Sequence, residues 1–424
     1  MLTNIVSRRV EICFLKIQII AESLGREGDM PVSKKIQGML SRSSWIRKMF
    51  EEGLLLRQKL GPENVFDFSL GNPNVPPPIE FDAALRDVAG QSLPGQHGYM
   101  PNAGYPETRE AIADYLGRKF KVPLTFEHIV MTCGAAGALN VTMKTILDPG
   151  DEVIIPMPYF VEYGFYVDNA GGVARLVPTK EDFNLDLEAI RSAFTERTRA
   201  VLINSPNNPT GRVYDAETIR GLAAILEEKE RLYNRAVYLV SDEPYNEIVY
   251  DGIELPSIME FCRNSIIAYS YSKCLSVPGE RIGYLALHPE LAELKEVLGG
   301  MIFCNRILGF INAPALMQRV ISRIQGVQVN VGEYQRKRDL LCEGLSSCGY
   351  SFAKPEGTFY LFVRSPVDDD VAYVRALQER GILTTPGIGF GGAGYFRIAY
   401  CVEDASIRNA LPGFAETIRE SGGR

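Results

Sequence analysis

Three observations predict an α/β fold with a second, smaller domain. At 424 residues the chain is long enough for two domains. Between about 125 and 290, short β-rich runs alternate with helical ones, the pattern of a mainly parallel sheet covered on both faces by helices. After Pro314 the pattern changes to a long helical stretch and then strands with helices between them, which indicates a smaller α+β domain. The expected division is an N-terminal extension over 1–30, an arm helix over 31–64 that belongs with the small domain, a large domain over 65–313 and a small C-terminal domain over 314–424.

Taken in order, the extension contains "RRVEICFLKIQII", whose apolar run is interrupted by Glu11, Lys16 and Gln18. It reads as a helical segment rather than a signal peptide or a membrane span, and Met30 is a second candidate start. From 33 to 60, Ile36, Leu40, Ile46, Met49, Phe50 and Leu54 recur at helical spacing and the pattern stops at Gly61-Pro62. "FDFSLGNPNVPPP" is a short strand followed by a rigid extended loop, the kind that builds binding sites. The strands "HIVMTCG", "DEVIIP", "VARLVP", "RAVLIN", "AVYLVSD", "SIIAYSYS" and "RIGYLAL" then alternate with helices such as "AAGALNVTMKTIL" and "ETIRGLAAILEEKE". Beyond Pro314 one long helical segment runs to about 349, and "SFAKPEGTFYLFV", "ILTTPG" and "YFRIAYC" read as strands.

Composition narrows the function classes. A net charge of -7 argues against general attraction to nucleic acid or anionic membrane, which leaves small molecules as the expected partners. The eight cysteines are scattered without a CxxC pair and the three histidines lie far apart, so reduced thiols in a cytoplasm are expected and no metal site is.

In open α/β sheets, ligands bind at the carboxyl ends of the strands, and four predicted strands here end in unusual polar residues. "TCGAAGALN" opens a helix with Gly134, Ala135 and Ala136, small enough for a phosphate to approach the free N–H groups, although the same residues also suit close packing. "NSPNNPTG" fixes Asn207 and Asn208 in a turn where their amides can donate to an oxygen. "YLVSDEPY" ends in Asp242 and Tyr245; the carboxylate is either a helix cap or the partner of a cationic ring nitrogen. "SIIAYSYSK" delivers Lys273 at a strand end beside Ser270 and Ser272, with Arg281 following, a setting that suits a Schiff-base lysine better than a surface charge. A phosphate site, an oxygen ligand, a pyridinium partner and a Schiff-base lysine together match the parts of pyridoxal 5′-phosphate.

With "YMPNAGYPETREAIADY", "TCGAAGALN", "PMPYF", "NSPNNPTG", "SDEPY", "SYSKCLSVPGERIGY" and "FRIAY" in this order, the chain over about 33–420 resembles the class I/II aminotransferases of fold type I, the aspartate aminotransferase superfamily. The resemblance implies a pyridoxal phosphate-dependent transferase that moves the amino group of an L-amino acid to a 2-oxo acid, with 2-oxoglutarate the expected acceptor, by a ping-pong mechanism. It implies that Lys273 holds the cofactor and shuttles the substrate's proton, and that Asp242 keeps the ring nitrogen protonated. Asn208 and Tyr245 would bind the phenolic oxygen and Tyr159 would stack on the ring. Ala135, Ala136, Ser270, Ser272 and Arg281 would hold the phosphate. Tyr99 would reach the phosphate of a neighbouring subunit, which implies a homodimer with shared sites. Arg397 would bind the substrate's α-carboxylate, with the Gly71 N–H nearby.

One position departs from the pattern. Where aspartate enzymes of bacterial type place a lysine against the substrate's side-chain carboxylate, this chain has Ala136, and Arg306 in "FCNRILGF" is the remaining candidate for that contact. A C–S β-lyase of the same fold is the alternative reaction. A non-enzymatic regulatory homologue would need a DNA-binding domain, for which the region before 61 is too short.

Overall fold

The computed structural model describes residues 32–40, 56–59, 61–92 and 94–422. The extension over 1–30 and much of the arm helix lie outside them. Residues 1–51 and 52–424 are two separate compact units. In the first, 34–40 is helical, and the second holds the three sheets.

Its strands are β1 (Phe66–Asp67), β2 (Ile129–Thr132), β3 (Glu152–Met157), β4 (Val173–Pro178), β5 (Thr198–Asn204), β6 (Tyr238–Asp242), β7 (Ser265–Ser270), β8 (Gly283–Leu287), β9 (Tyr360–Arg364), β10 (Ile382–Leu383), β11 (Thr385–Pro386) and β12 (Tyr395–Ala399). Seven form one sheet in the order β2-β8-β7-β6-β5-β3-β4. The run from β4 through β3, β5 and β6 to β7 is parallel, whereas β8 is antiparallel to both of its neighbours, β7 and β2. The central strands β5, β6 and β7 are almost wholly buried, as continuous apolar runs such as "AVLIN" and "SIIAYS" require. Alternate side chains fill two cores: Val201, Ile203, Leu239 and Ile267 enter one, and Leu202, Val240, Ile266 and Ala268 the other. Helices such as Gly134–Ile146 and Ala216–Tyr233 cover these faces, the latter capped by the Asp215 carboxylate, which accepts from Thr218 N at 2.7 Å.

The C-terminal part builds two small sheets. β9, β12 and β11 form an antiparallel sheet, and β10 pairs in parallel with β1, so residues 66–67 join the C-terminal elements. Two expectations change here. The long helical segment is two helices, Ala315–Ile321 and Val331–Cys348, because Gly326 takes φ +82° and the Asn330 side chain caps the second helix from Gly332 N. The "ILTTPG" strand divides at buried Thr384 into β10 and β11, which belong to different sheets.

This topology brings the carboxyl ends of β2, β5, β6 and β7 to one edge. Thr132 and Ser270 both pair with Gly283, the first residue of β8, and Asn204 pairs with Asp242. Gly283 is required by close approach: a Cβ there would overlap the Tyr269 carbonyl and lie 2.9 Å from Gly134 Cα. That contact seats the start of the helix Gly134–Ile146 on the strand ends. Gly283→Ala is therefore expected to cost ~1–3 kcal/mol or more, since backbone on both sides has to move. A thermal unfolding midpoint equal to that of the parent protein would contradict this packing.

Candidate active site

Lys273 lies in a short helix, Tyr271–Cys274, directly after β7, with Ser270 as its N-cap. Its Nζ donates to the Gly71 carbonyl at 2.9 Å and stands 5.4 Å from the centre of the Phe359 ring. Burial is the largest influence on this ammonium and pulls its pKa down to about 8; Cys401 opposes the shift, and the positive charges of Arg281 and Arg397 add to it. The hydrogen-bond partner of this lysine is a neutral carbonyl, so no carboxylate bond restores its proton affinity.

Two arginines flank it in the same way. Arg397, on β12, is buried, yet its bonds go to neutral acceptors, Asn208 Oδ1 at 3.0 Å and Ser69 O at 2.8 Å. The guanidinium packs against the Tyr360 and Phe390 rings, 4.4 and 4.6 Å from their centres, and its Nε is buried without a partner. Arg281 donates to the carbonyls of Pro278 at 2.9 Å and Cys133 at 3.5 Å. A Cβ on Gly134 would stand 3.2 Å from Arg281 Nη2 and 3.5 Å from Ser270 Oγ, so a small cradle separates them from the first turn of the helix that carries Ala135 and Ala136. Ser270 and Ser272 share a hydroxyl hydrogen bond of 2.7 Å beside it. Cationic groups with neutral partners, next to a helix N-terminus, form a site for an anion.

Asp242, at the end of β6, is buried. Its Oδ2 accepts from Tyr163 Oη at 2.6 Å, while Oδ1 is buried with no partner. Burial raises this carboxyl to about 7, and the Tyr163 bond only partly offsets the shift. An orphaned carboxylate oxygen in such surroundings calls for an N–H donor from outside the chain. Asn208 is held through its backbone N, which donates to Asn204 Oδ1 at 2.7 Å. Because its own Oδ1 is taken by Arg397, its amide N–H groups remain the available donors.

The other predicted residues fall into two groups. Tyr159 is half-buried, with its ring 6.5 Å from that of Tyr163. Tyr245 is buried and donates to Tyr360 Oη at 3.2 Å. Gly71 meets Lys273 through its carbonyl, and a Cβ on Gly71 would overlap the Tyr360 hydroxyl. These join the cluster. Tyr99 is 96% exposed, and Arg306 is exposed at the end of the helix Leu294–Ile307, over the Phe303 ring at 5.3 Å. Neither is brought to Lys273 by a contact among the described residues.

Sequence reasoning missed Tyr163, Ser69, Phe359 and Tyr360. Tyr163 and Ser69 stand in ordinary surroundings, but "GTFYLFV" offered a signal: two adjacent aromatics opening a strand near the end of a Gly-closed loop.

Comparison with known proteins follows the same line. Residues 63–414 match the family described as aminotransferase class I and II. A probable aspartate aminotransferase of Methanocaldococcus jannaschii is 35% identical over 83% of this chain and 93% of its own. The aspartate/prephenate aminotransferase of Thermus thermophilus is also 35% identical, over 82% and 89%. A crystal structure of an aminotransferase from Eubacterium rectale superposes with a TM-score of 0.89 at 38% identity, covering 92% of this chain and 99% of that one.

The depressed lysine gives a direct test. In cofactor-free protein, acetylation of Lys273 by acetic anhydride, followed by peptide mass, should reach half its maximal rate near pH 8, the value to which burial pulls it. Exposed lysines should do so at about 10.4. Labelling of Lys273 in step with the surface lysines would contradict the electrostatics described.

Proposed function

Because the chain belongs to the class I and II aminotransferase family and is an enzyme of amino-group transfer, we propose that it uses pyridoxal 5′-phosphate to move the amino group of an L-amino acid to a 2-oxo acid, with 2-oxoglutarate as acceptor. The observation that carries the cofactor is the buried, partnerless Oδ1 of Asp242, which fits a ring N–H, at the same strand edge as the Gly134 cradle beside Arg281 and Ser270, which fits a phosphate.

When bound, the cofactor supplies an electron sink conjugated to the substrate's nitrogen. The chain's residues do the rest. The N–H groups of Ala135 and Ala136, the hydroxyls of Ser270 and Ser272 and the Arg281 fork hold the phosphate. Asp242 accepts from the ring nitrogen and stabilises its proton. The Asn208 amide and the Tyr245 hydroxyl donate to the phenolic oxygen, and Tyr159 covers one face of the ring. Lys273 would hold the cofactor through its Nζ, and the same nitrogen, once free, would serve as the base and acid for the proton on the substrate's Cα. In the cofactor-free chain burial pulls this ammonium down to about 8, which favours the neutral amine that proton abstraction needs. Arg397 grips the α-carboxylate with its free N–H groups, beside the Gly71 backbone.

The same reading includes a large cofactor-binding domain over 65–313, whose first strand, β1, pairs with β10 of a small domain over 314–424, with the arm helix over 31–64. Support comes from the seven-stranded sheet lying within 129–287 and from β9 to β12 lying beyond 314. It also includes a cytoplasmic homodimer in which Tyr99, so exposed in the single chain, serves the partner's phosphate. No helix among the described residues is long and apolar enough to cross a membrane.

The test is a half-reaction screen. Protein loaded with pyridoxal phosphate is mixed with individual amino acids, and loss of the visible absorbance is followed, with formation of the 2-oxo acid. The proposal expects at least one L-amino acid to discharge the absorbance and 2-oxoglutarate to restore it. Pyruvate and ammonia released without an oxo-acid acceptor would indicate a lyase instead. Arg397→Leu should lower kcat/KM for that amino acid on the order of a hundredfold or more, as loss of charge-assisted bonds predicts. Cofactor affinity should change far less; equal losses in both would mean that Arg397 serves folding.

A further inference from the structure

Tyr360 is the first residue of β9 and is 4% exposed, and it touches three parts of the site at once. Its hydroxyl lies 3.2 Å from that of Tyr245, and the two rings cross at 80° with centres 5.9 Å apart. The Arg397 guanidinium rests 4.4 Å from its ring centre. Its hydroxyl also fills the space that a Cβ on Gly71 would need, so it fixes the approach of the backbone whose carbonyl holds Lys273. The neighbouring Phe359 lies under Lys273 Nζ. The ionisable groups that face Tyr360 are Tyr245, Arg397 and Cys401.

We propose that Tyr360 is a positioning residue that couples the tyrosine facing the cofactor to the arginine gripping the substrate, with its hydroxyl serving the first and its ring the second. This rests on the functional reading above. A phenol donates one hydrogen bond and also accepts. In the structure Tyr245 donates to Tyr360. When an acceptor oxygen enters the cleft, Tyr245 turns its proton to that oxygen, and Tyr360 donates its own proton to Tyr245. The reversed pair keeps the Tyr245 oxygen satisfied and strengthens its donation. The ring acts separately: together with Phe390 it packs against the guanidinium, so that no carboxylate has to occupy the N–H groups reserved for substrate.

The two roles separate in two variants. Tyr360→Phe keeps the ring, so KM for the amino acid should stay within about twofold, whereas the pH midpoint of the bound cofactor's visible absorbance should rise by about half to one unit, because weaker donation from Tyr245 raises the proton affinity of the phenolic oxygen system. Tyr360→Leu should show the same midpoint rise and also an increase in KM of about tenfold, the loss expected of a desolvated cation–π contact. Thermal unfolding midpoints measured alongside confirm that each variant folds. If the leucine variant does not fold, the spectral titration of Tyr360→Phe decides alone. An unshifted midpoint in Tyr360→Phe, or equal KM values in the two variants, overturns the proposal while leaving the functional reading intact. Wild-type protein that takes up no cofactor absorbance overturns both.

Discussion

The site is organised around one electrostatic constraint: a lysine ammonium and two arginine guanidinium groups share a cleft, and the hydrogen bonds that hold them end on neutral oxygens. Carboxylate partners would raise the lysine's pKa and occupy the arginine donors. Carbonyl partners satisfy part of each cation's hydrogen-bonding capacity and leave its charge uncompensated. Asp242, the carboxylate that ends β6 at the same strand edge, has one oxygen short of a donor. The site therefore fits a ligand that brings anionic groups to the cations and an N–H to the carboxylate oxygen.

The neutral partners come from an unexpected source. Three successive carbonyls, of Ser69, Leu70 and Gly71, accept from Arg397, Cys401 and Lys273. This strap follows β1, which pairs with β10 near the other end of the chain. Early and late segments thus close over residues delivered by the central sheet. The bond from Lys273 to Gly71 is one the lysine can surrender when its nitrogen is needed for chemistry, because a carbonyl at a partly exposed loop is readily solvated.

The order of legibility follows from the range of the interactions. The strands of the central sheet were readable because buried parallel strands must be continuously apolar, and the polar residues that ended them, Asn204, Asp242 and Ser270, marked the edge at which they meet. Which side chain satisfies which was not readable. Tyr163 against Asp242, Ser69 against Arg397 and Tyr360 against Tyr245 are contacts between elements 79, 328 and 115 residues apart, and no local pattern specifies them. Gly71 illustrates the limit: a glycine was expected for its backbone N–H, whereas the structure requires it because the Tyr360 hydroxyl fills the place of its Cβ. The break at Gly326 was hidden because flanking apolar periodicity continues across it. Tyr99 and Arg306 were named through resemblance alone, and a single chain does not bring them to the cleft.

The central claim is that Lys273 is the nitrogen that carries the cofactor. Borohydride reduction of the protein loaded with pyridoxal phosphate, followed by proteolysis and mass mapping, tests it most directly. The account predicts one phosphopyridoxyl group per chain, located on Lys273 in the peptide "YSYSKCLSVPGER". A label on any other lysine, with Lys273 unmodified, would contradict it.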